Sequence, residues 1–460
     1  MAVNNKKRRW EVLSESKDRK LELKDIKRIL LTNRGIKVSE EKEFFDSPHP
    51  EKLSLKSLGI SEAQVKKAIE RINKAKKTGE MTIVYGDYDA DGICATAILW
   101  ERLYSLGFNV LPYIPERFSE GYGLNSESLK KLKIEHPELG LIITVDHGIV
   151  AAKQVEEAKK LGIDVIITDH HEPGKKEPKS LATIHTTQIG GAGIAWILSR
   201  EIKPSNEGLE LAAIGTIADQ LPLVGPNRSF AKHGLVALNR TRRLGVNALL
   251  EESGLVKGSL GPYEVGFIIA PRINAMGRLV HAIDSLRLLC TKNTEQAKKL
   301  AKLLNSTNFE RQRIVEEVVL HARSSVGEGK GIIILAHESY HEGVIGLAAS
   351  RLVEEFYRPA IVISKKGEVA KASARSISGF NIIEAIRKLE DLLLEGGGHP
   401  MAAGFSIKTA RIEEFSKRIN EVSGKLLTDE ILTKRLRIDL EIGFADLGRE
   451  LLKLIESFEP

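Results

Sequence analysis

Cysteine is nearly absent from this chain. Its 460 residues hold only Cys94 and Cys290. Two lone cysteines without metal-ligand spacing cannot build a disulfide framework, which points to a reducing cytoplasm. A long apolar run is also missing. No stretch reaches the ~18 consecutive apolar residues of a membrane span, so no membrane-embedded role is expected. The opening MAVNNKKRRW has no apolar core, which argues against a secretory signal. Internal repeats and low-complexity tracts are lacking too, which excludes repeat architectures.

What remains has ordinary globular composition, 42% hydrophobic and 28% charged. At roughly 100–200 residues per domain, the length predicts two to four domains. A net charge of +7 fits a polyanionic partner. It is weak evidence alone, because many lysines fall in runs such as KKAIERINKAKK (66–77) that read as solvated helix faces.

Residues 1–78 read as a charged, helical segment without catalytic groups, its Lys/Arg cluster at 6–9 a solvated tail. From 82 the pattern changes. TIVYG, VLPYIP, LGLIITV (139–145) and DVIIT (164–168) are short β-rich runs. Stretches at helical spacing alternate with them, including ICATAILWERLYSLG (93–107) and LELAAIGTIAD (209–219). Such alternation predicts α/β architecture with a parallel sheet. Residues 231–326 lack strand signals and end in a long connecting helix. After a Gly-rich break, GIIILA, GVIGLAASRLVEEF, PAIVIS and NIIEAIRKLEDLLL predict a second, smaller α/β unit over 327–425. A catalytic cleft is expected between the two.

Acidic and imidazole groups cluster directly after the strands of the first unit. Asp87, Asp89 and Asp91 lie in GDYDADG, Asp146 in TVDHG, and Asp169, His170 and His171 in TDHH. Asp219 closes the helix in IGTIADQLPL. In open parallel sheets the functional crevice lies beyond the carboxyl ends of the strands. Four distant segments would thus deliver ligands to one place. Converging carboxylates repel unless divalent cations neutralise them. An Asp-rich set with imidazole and no Cys suits manganese or magnesium, and the histidine favours manganese without excluding zinc. A two-metal site activating water for attack at phosphorus fits such a cluster. Taken singly, each Asp reads more simply as a turn former or helix cap. DYDADG also resembles a calcium-loop fragment, but position 12 is Ile98 rather than Glu, and a strand precedes it. His147, His136 and His185 read as surface or loop histidines.

With these motifs in this order, the chain resembles the DHH phosphoesterase superfamily. GPYEVGFIIAPRINAMGRL (261–279) and NFERQR (308–313) resemble the connecting region of RecJ nucleases. KASARSISGF and GGGHPMAAGF resemble the DHH-associated domain. The resemblance covers roughly 70–460. It implies a DHH catalytic domain over 79–230, connecting helices over 231–326, and the DHH-associated domain over 327–425. It implies metal ligation by Asp87, Asp89, Asp91, Asp146, His170 and Asp219. Catalytic roles fall to Asp89, Asp91, His170 and His171, with either Asp89 or Asp91 bridging two Mn (or Mg) ions. Ser373, Arg375, Gly397, Gly398 and His399 would grip substrate phosphate, joined by Asn274 and Arg278. A Gly run admits close approach of backbone N–H groups to phosphate, and Arg375 can offer a bidentate fork. For Arg272 and Arg278 a salt bridge to a neighbouring helix is an equal alternative.

Two departures stand out. His147 follows Asp146 where the RecJ pattern commonly has Asn or Cys. Residues 426–460 resemble the start of a segment leading into an OB-fold, and the chain ends there. The implied activity is a 5′-3′ exonuclease releasing 5′ mononucleotides from single-stranded DNA in repair and recombination. A monomer is implied, with repair or replication proteins as partners. The alternatives are a DHH phosphodiesterase for short oligonucleotides or small nucleotides, an archaeal-type replication-associated RecJ, and a non-catalytic scaffold.

Overall fold

A computed structural model describes residues 8–15, 21–327 and 329–460. Lys6 and Lys7 of the N-terminal cluster lie outside the described residues. Arg9 does not belong to a solvated tail: Arg9–Val12 forms a strand paired in parallel with Arg435–Ile438. The chain divides into two compact units. One comprises 36–308 with 452–460, the other 309–451 with the N-terminal residues to 35.

The first unit is built on β1 (Met81–Tyr85), β2 (Val110–Tyr113), β3 (Leu139–Val145), β4 (Asp164–Asp169) and β5 (Ala182–His185). All pairings are parallel, in the order β2-β1-β3-β4-β5. Every residue of β1 and β3 is buried, which is why MTIVY and LGLIITV read as continuous apolar runs. Alternate side chains serve opposite faces. Val84, Ile143 and Ile166 pack with α1 (Glu62–Thr78), α2 (Ala90–Ser105), α5 (Gly191–Ile202) and α6 (Leu209–Ala218). Ile83, Ile142 and Ile167 pack with α3 (Ser126–Glu135) and α4 (Ala152–Lys160). Strand order reverses between β1 and β3, the switch point where a doubly wound sheet opens its crevice.

The connecting region is helical. α7 (Gly225–Asn239) is followed by a π-helical turn at Glu264–Ile269, α8 (Ala270–Leu279) and α9 (Thr294–Ser325). At 32 residues, α9 is the long helix expected from the sequence; it begins in the first unit and continues into the second.

The second unit carries a mixed sheet of β6 (Ile333–His337), β7 (Ala360–Ser364), β8 (Val369–Arg375), β9 (Leu393–His399) and β10 (Ala402–Lys408). The order is β9-β10-β8-β7-β6, with only β6 and β7 parallel. α10 (Ile345–Phe356), α11 (Ile382–Arg387) and α12 (Ile412–Gly424) cover it. One expectation needs correction here. The helix foreseen over 381–394 ends at Arg387, and GGGH is part of an exposed edge strand. After Arg387 the run passes through a 3-10 turn at Glu390–Leu392 and enters β9 at Leu393. Paired with β10, Gly398 has no room for a side chain: a Cβ there would lie 2.4 Å from the Ala402 carbonyl oxygen.

Candidate metal centre

The four acidic segments meet at the switch point. Asp87 and Asp89 follow β1, Asp146 follows β3, His170 and His171 follow β4, and Asp219 terminates α6. Three overlapping groups have ligand atoms within 4.8 Å of one another: Asp87, Asp89 and Asp146; Asp91, His170 and Asp219; and Asp146, His170 and His171. Nε2 of His170 is the hub. It lies 3.0 Å from Asp146 Oδ1, 3.6 Å from Asp219 Oδ2 and 3.8 Å from Asp91 Oδ2.

Backbone amides fix the orientation of these groups. Asp89 caps α2, its Oδ1 accepting from the N–H groups of Asp91 and Gly92 at 3.0 Å each. Asp91 accepts from the first amides of α5, Gly191 at 2.7 Å and Ala192 at 2.9 Å. The glycine there is obligatory, since a Cβ on Gly191 would sit 2.4 Å from Asp146 Oδ1. Asp146 adopts φ 67, and Gln220 after Asp219 adopts φ 58. Strained backbone of this kind on two sides of one cluster is characteristic of functional sites.

Asp169 serves differently from its neighbours. Its Oδ2 accepts the Ile149 N–H at 2.8 Å, while Oδ1 accepts from the His170 and His171 amides and lies 2.8 Å from His171 Nδ1. It orients the DHH turn and leaves Nε2 of His171 facing Tyr122, 3.5 Å from that hydroxyl.

The electrostatics describe a site built for cations. Burial, reinforced by Asp89, pushes the Asp87 carboxyl well up; burial and then Asp91 do the same to Asp146. Asp91 is pushed up to about 8 by burial and the charge of Asp219, and Asp219 to about 6 by burial and Asp89. Burial lowers His170 to about 4, so its imidazole is a neutral donor at pH 7. Burial would raise Asp169, but the bonds from His171 and Ile149 hold it down to about 2. The Asp169 hydrogen bond in turn raises His171.

Whether these residues fit divalent ions can be read from their unused atoms. Asp87 Oδ1, Asp146 Oδ1 and His170 Nε2 are buried, yet none has a hydrogen-bond partner. Buried polar atoms are ordinarily satisfied, and three orphans converging in one cluster call for a ligand. Carboxylate oxygens with one imidazole and no thiolate form a donor set for manganese or magnesium. The residues fit.

Several positions departed from, or were missed by, the sequence reading. His147 is buried rather than at the surface: its Nε2 lies 3.0 Å from the Tyr85 carbonyl oxygen, tying β3 to β1. Burial lowers its pKa to about 4. Asn274 spends its side-chain oxygen on the Ala90 N–H at 2.7 Å, bracing the start of α2. Arg272 makes no salt bridge among the described residues; it bonds Asn305 Oδ1 and the Ile268 carbonyl. Arg278 lies close enough to bear electrostatically on Tyr88. The amides of Gly191 and Ala192 were missed, and the Gly190-Gly191 pair at a helix start was their only trace. Tyr122 beside His171 and Arg117, 4.9 Å above the Tyr88 ring, were missed as well.

In the second unit, Ser373, Arg375, Gly397 and His399 share one face of the sheet, while Gly398, paired with Ala403, belongs to the opposite face. Arg375, Ala402 and His399 form one cross-strand row, and Ser373, Gly404 and Gly397 the next but one. Arg375 Nη1 lies 3.1 Å from Ser373 Oγ. Gly346, in the first turn of α10, comes so close that a Cβ there would lie 3.1 Å from both side chains. Burial lowers the Arg375 pKa, and no carboxylate among the described residues counters it.

Comparison with known proteins agrees with this arrangement. The model of the DHH family N-terminal domain matches residues 81–216, and that of the DHHA1 domain matches 329–425. The single-stranded-DNA-specific exonuclease RecJ of Bacillus subtilis is 37% identical over 99% of this chain. The chain spans 60% of that relative's length. The protein of the same name from Escherichia coli is 32% identical over 98% of this chain and 84% of its own. Among solved structures, RecJ from Thermus thermophilus in complex with Mn2+ superposes with a TM-score of 0.81. It is 31% identical, covering 98% of this chain and 67% of its own. No helix of the described residues is long and apolar enough to cross a membrane. Identity of this extent, over both domain types and the helices joining them, places the chain in the RecJ family.

Proposed function

We propose that the chain is a metal-dependent exonuclease that degrades single-stranded DNA from the 5′ end to 5′ mononucleotides. The observation that carries this reading is the trio of buried, unpartnered donors: Asp87 Oδ1, Asp146 Oδ1 and His170 Nε2. Asp87, Asp89, Asp91, Asp146, His170 and Asp219 would hold two divalent ions, Mn or Mg. When bound, such ions supply Lewis acidity at a phosphoryl oxygen and ease deprotonation of water. Asp91 and Asp89 stay in register because helix-start amides hold them. His171, its Nδ1 engaged by Asp169, presents Nε2 to the site and can hold or pass a proton there. Asn274 and Arg278 stand beside the Tyr88–Asp89 turn, where a substrate phosphate would arrive.

Ser373, Arg375 and the Gly397–His399 strand would grip a terminal phosphate. A desolvated guanidinium without a counter-charge favours an anion. Roles in repair and recombination, a cytoplasmic location, a monomeric state and repair or replication protein partners belong to the same proposal.

The test is digestion of 5′- and 3′-labelled single strands and duplexes, DNA and RNA, with Mn2+. The expected result is mononucleotide release from the 5′ end of single-stranded DNA at all lengths. Activity confined to two- to five-nucleotide strands would instead favour a short-oligonucleotide phosphodiesterase.

A further inference from the structure

Against the end of α6 that precedes Asp219, two large aromatic rings stand in solvent. Tyr263 is 62% and Phe267 71% exposed. Their centroids are 5.0 Å apart and their planes 26° from parallel, so they form a stacked pair. Phe267 projects from the π-helical segment that precedes α8, and Tyr263 from the residue just before that segment. Turns of this type are rare, and where they occur they often mark functional positions.

The pair lines a groove of about 390 Å³ whose wall includes Ile217, Ala218, Gln220 and Pro262. No lining group carries a charge. Gln220 directly follows Asp219, whose carboxylate faces His170 at 3.6 Å. The groove is therefore built on the same helix end that carries Asp219 to the metal cluster. Through Pro262 it adjoins a second groove of about 500 Å³, bordered by Lys232 and Arg240 with Glu459 among them. Lys232 already donates to the Phe45 carbonyl, while Arg240 is exposed.

We infer that Tyr263 and Phe267 form a stacking platform for nucleobases of a single strand held at the metal centre. The inference rests on the nuclease reading and adds to it. A polyanionic strand whose phosphate reaches Asp219 must place its neighbouring bases somewhere. An uncharged groove with an exposed ring pair offers them a π-face without selecting sequence, since every base stacks. Beyond Pro262 the exposed Arg240 can meet a following phosphate. A duplex keeps its bases stacked internally and cannot use such a surface, so the platform also selects for unpaired strands.

The experiment measures KM and kcat for Mn2+-dependent cleavage of a short 5′-phosphorylated strand carrying one abasic residue at successive positions. In the wild type, one or two positions raise KM by about tenfold, the loss of one stacked base. In the Tyr263→Ala/Phe267→Ala variant, KM for the intact strand rises by a similar factor and the positional effect disappears. KM moves more than kcat, and the defect shrinks as the strand shortens to a dinucleotide. Replacing both rings with Trp restores the positional effect. The inference is overturned if the alanine variant keeps the wild-type abasic profile, as it would if the rings dock a protein. It is equally overturned if the loss is the same at every strand length, or if Trp fails to restore it. A wild-type protein that cleaves no strand refutes the nuclease reading itself, a separate outcome.

Discussion

Nε2 of His170 and Oδ1 of Asp146 lie 3.0 Å apart, both buried, and neither makes a hydrogen bond. A neutral imidazole and a carboxylate at that separation would ordinarily share a proton. Here each is aimed at the same point from a different strand end. Asp146 is held there in a left-handed conformation, φ 67, that Asp and Asn tolerate better than most side chains.

Asp146→Asn tests that arrangement without disturbing the backbone. It keeps the shape and the φ preference and removes one charge from a crowded carboxylate set. Mn2+-dependent cleavage should fall by at least a hundredfold. The melting temperature of the metal-free protein should rise by a degree or two, because a neutral amide replaces a carboxyl whose ionised form burial and Asp91 penalise, a gain on the order of 1 kcal/mol. Calorimetry with and without Mn2+ checks both, since the variant should also lose most of its metal-induced shift.

The metal-free protein should lose stability as pH rises from about 6.5 to 8. Asp91 is raised to about 8, so over this window the folded state holds a proton that the unfolded state has released. Stability then falls as pH climbs toward the folded value. His171, also raised, has the same sign. His170, lowered to about 4, is neutral in the folded state across this window, and the unfolded state sheds its remaining imidazole charge just above 6.5, which offsets the loss only slightly. The loss should be on the order of 2 kcal/mol, a drop of roughly 2–3 °C in Tm. Saturating Mn2+ should flatten the profile, because the carboxylates would be ionised and paired.

Gly191→Ala should be nearly as damaging as loss of a ligand. Its Cβ would fall 2.4 Å from Asp146 Oδ1 and 2.6 Å from Asp146 Cβ and Cγ. Either the carboxylate or the start of α5 must move, and that helix start also holds Asp91. Activity should drop by more than tenfold while the circular dichroism spectrum stays native. Gly254→Ala, with nothing within 4 Å but a positive φ of 69, should cost stability and leave cleavage intact.

Arg375→Ala should weaken use of 5′-phosphorylated ends. Losing a desolvated charged donor corresponds to roughly a ten- to hundredfold rise in KM for such ends. Strands with a 5′-hydroxyl should be affected less. A comparison of the two ends with wild type and variant separates phosphate recognition from a general defect.

Much of the centre was legible because each acidic motif ends a run whose apolar character marks it as a buried strand. Asp87, Asp146 and Asp169 stand at the ends of β1, β3 and β4 for that reason. What escaped notice is contact rather than sequence pattern. The amides of Gly191 and Ala192 grip Asp91 from a hundred residues away, and nothing local to GGAG says so. His147 looked like a loop residue because its bond to the Tyr85 carbonyl depends on β1 and β3 being neighbours. β5 is four residues long and only half apolar, too short to stand out. LEDLLL carries helical periodicity, but the glycines after it and the pairing with β10 draw the end of that run into β9.

The most direct test of the metal centre is the number of Mn2+ ions bound per chain, measured by elemental analysis after equilibrium dialysis. Two ions per chain in the wild type, and a clear loss in both Asp146→Asn and His170→Ala, is the predicted result. A wild type that binds none, or variants that bind as many as the wild type, would contradict it.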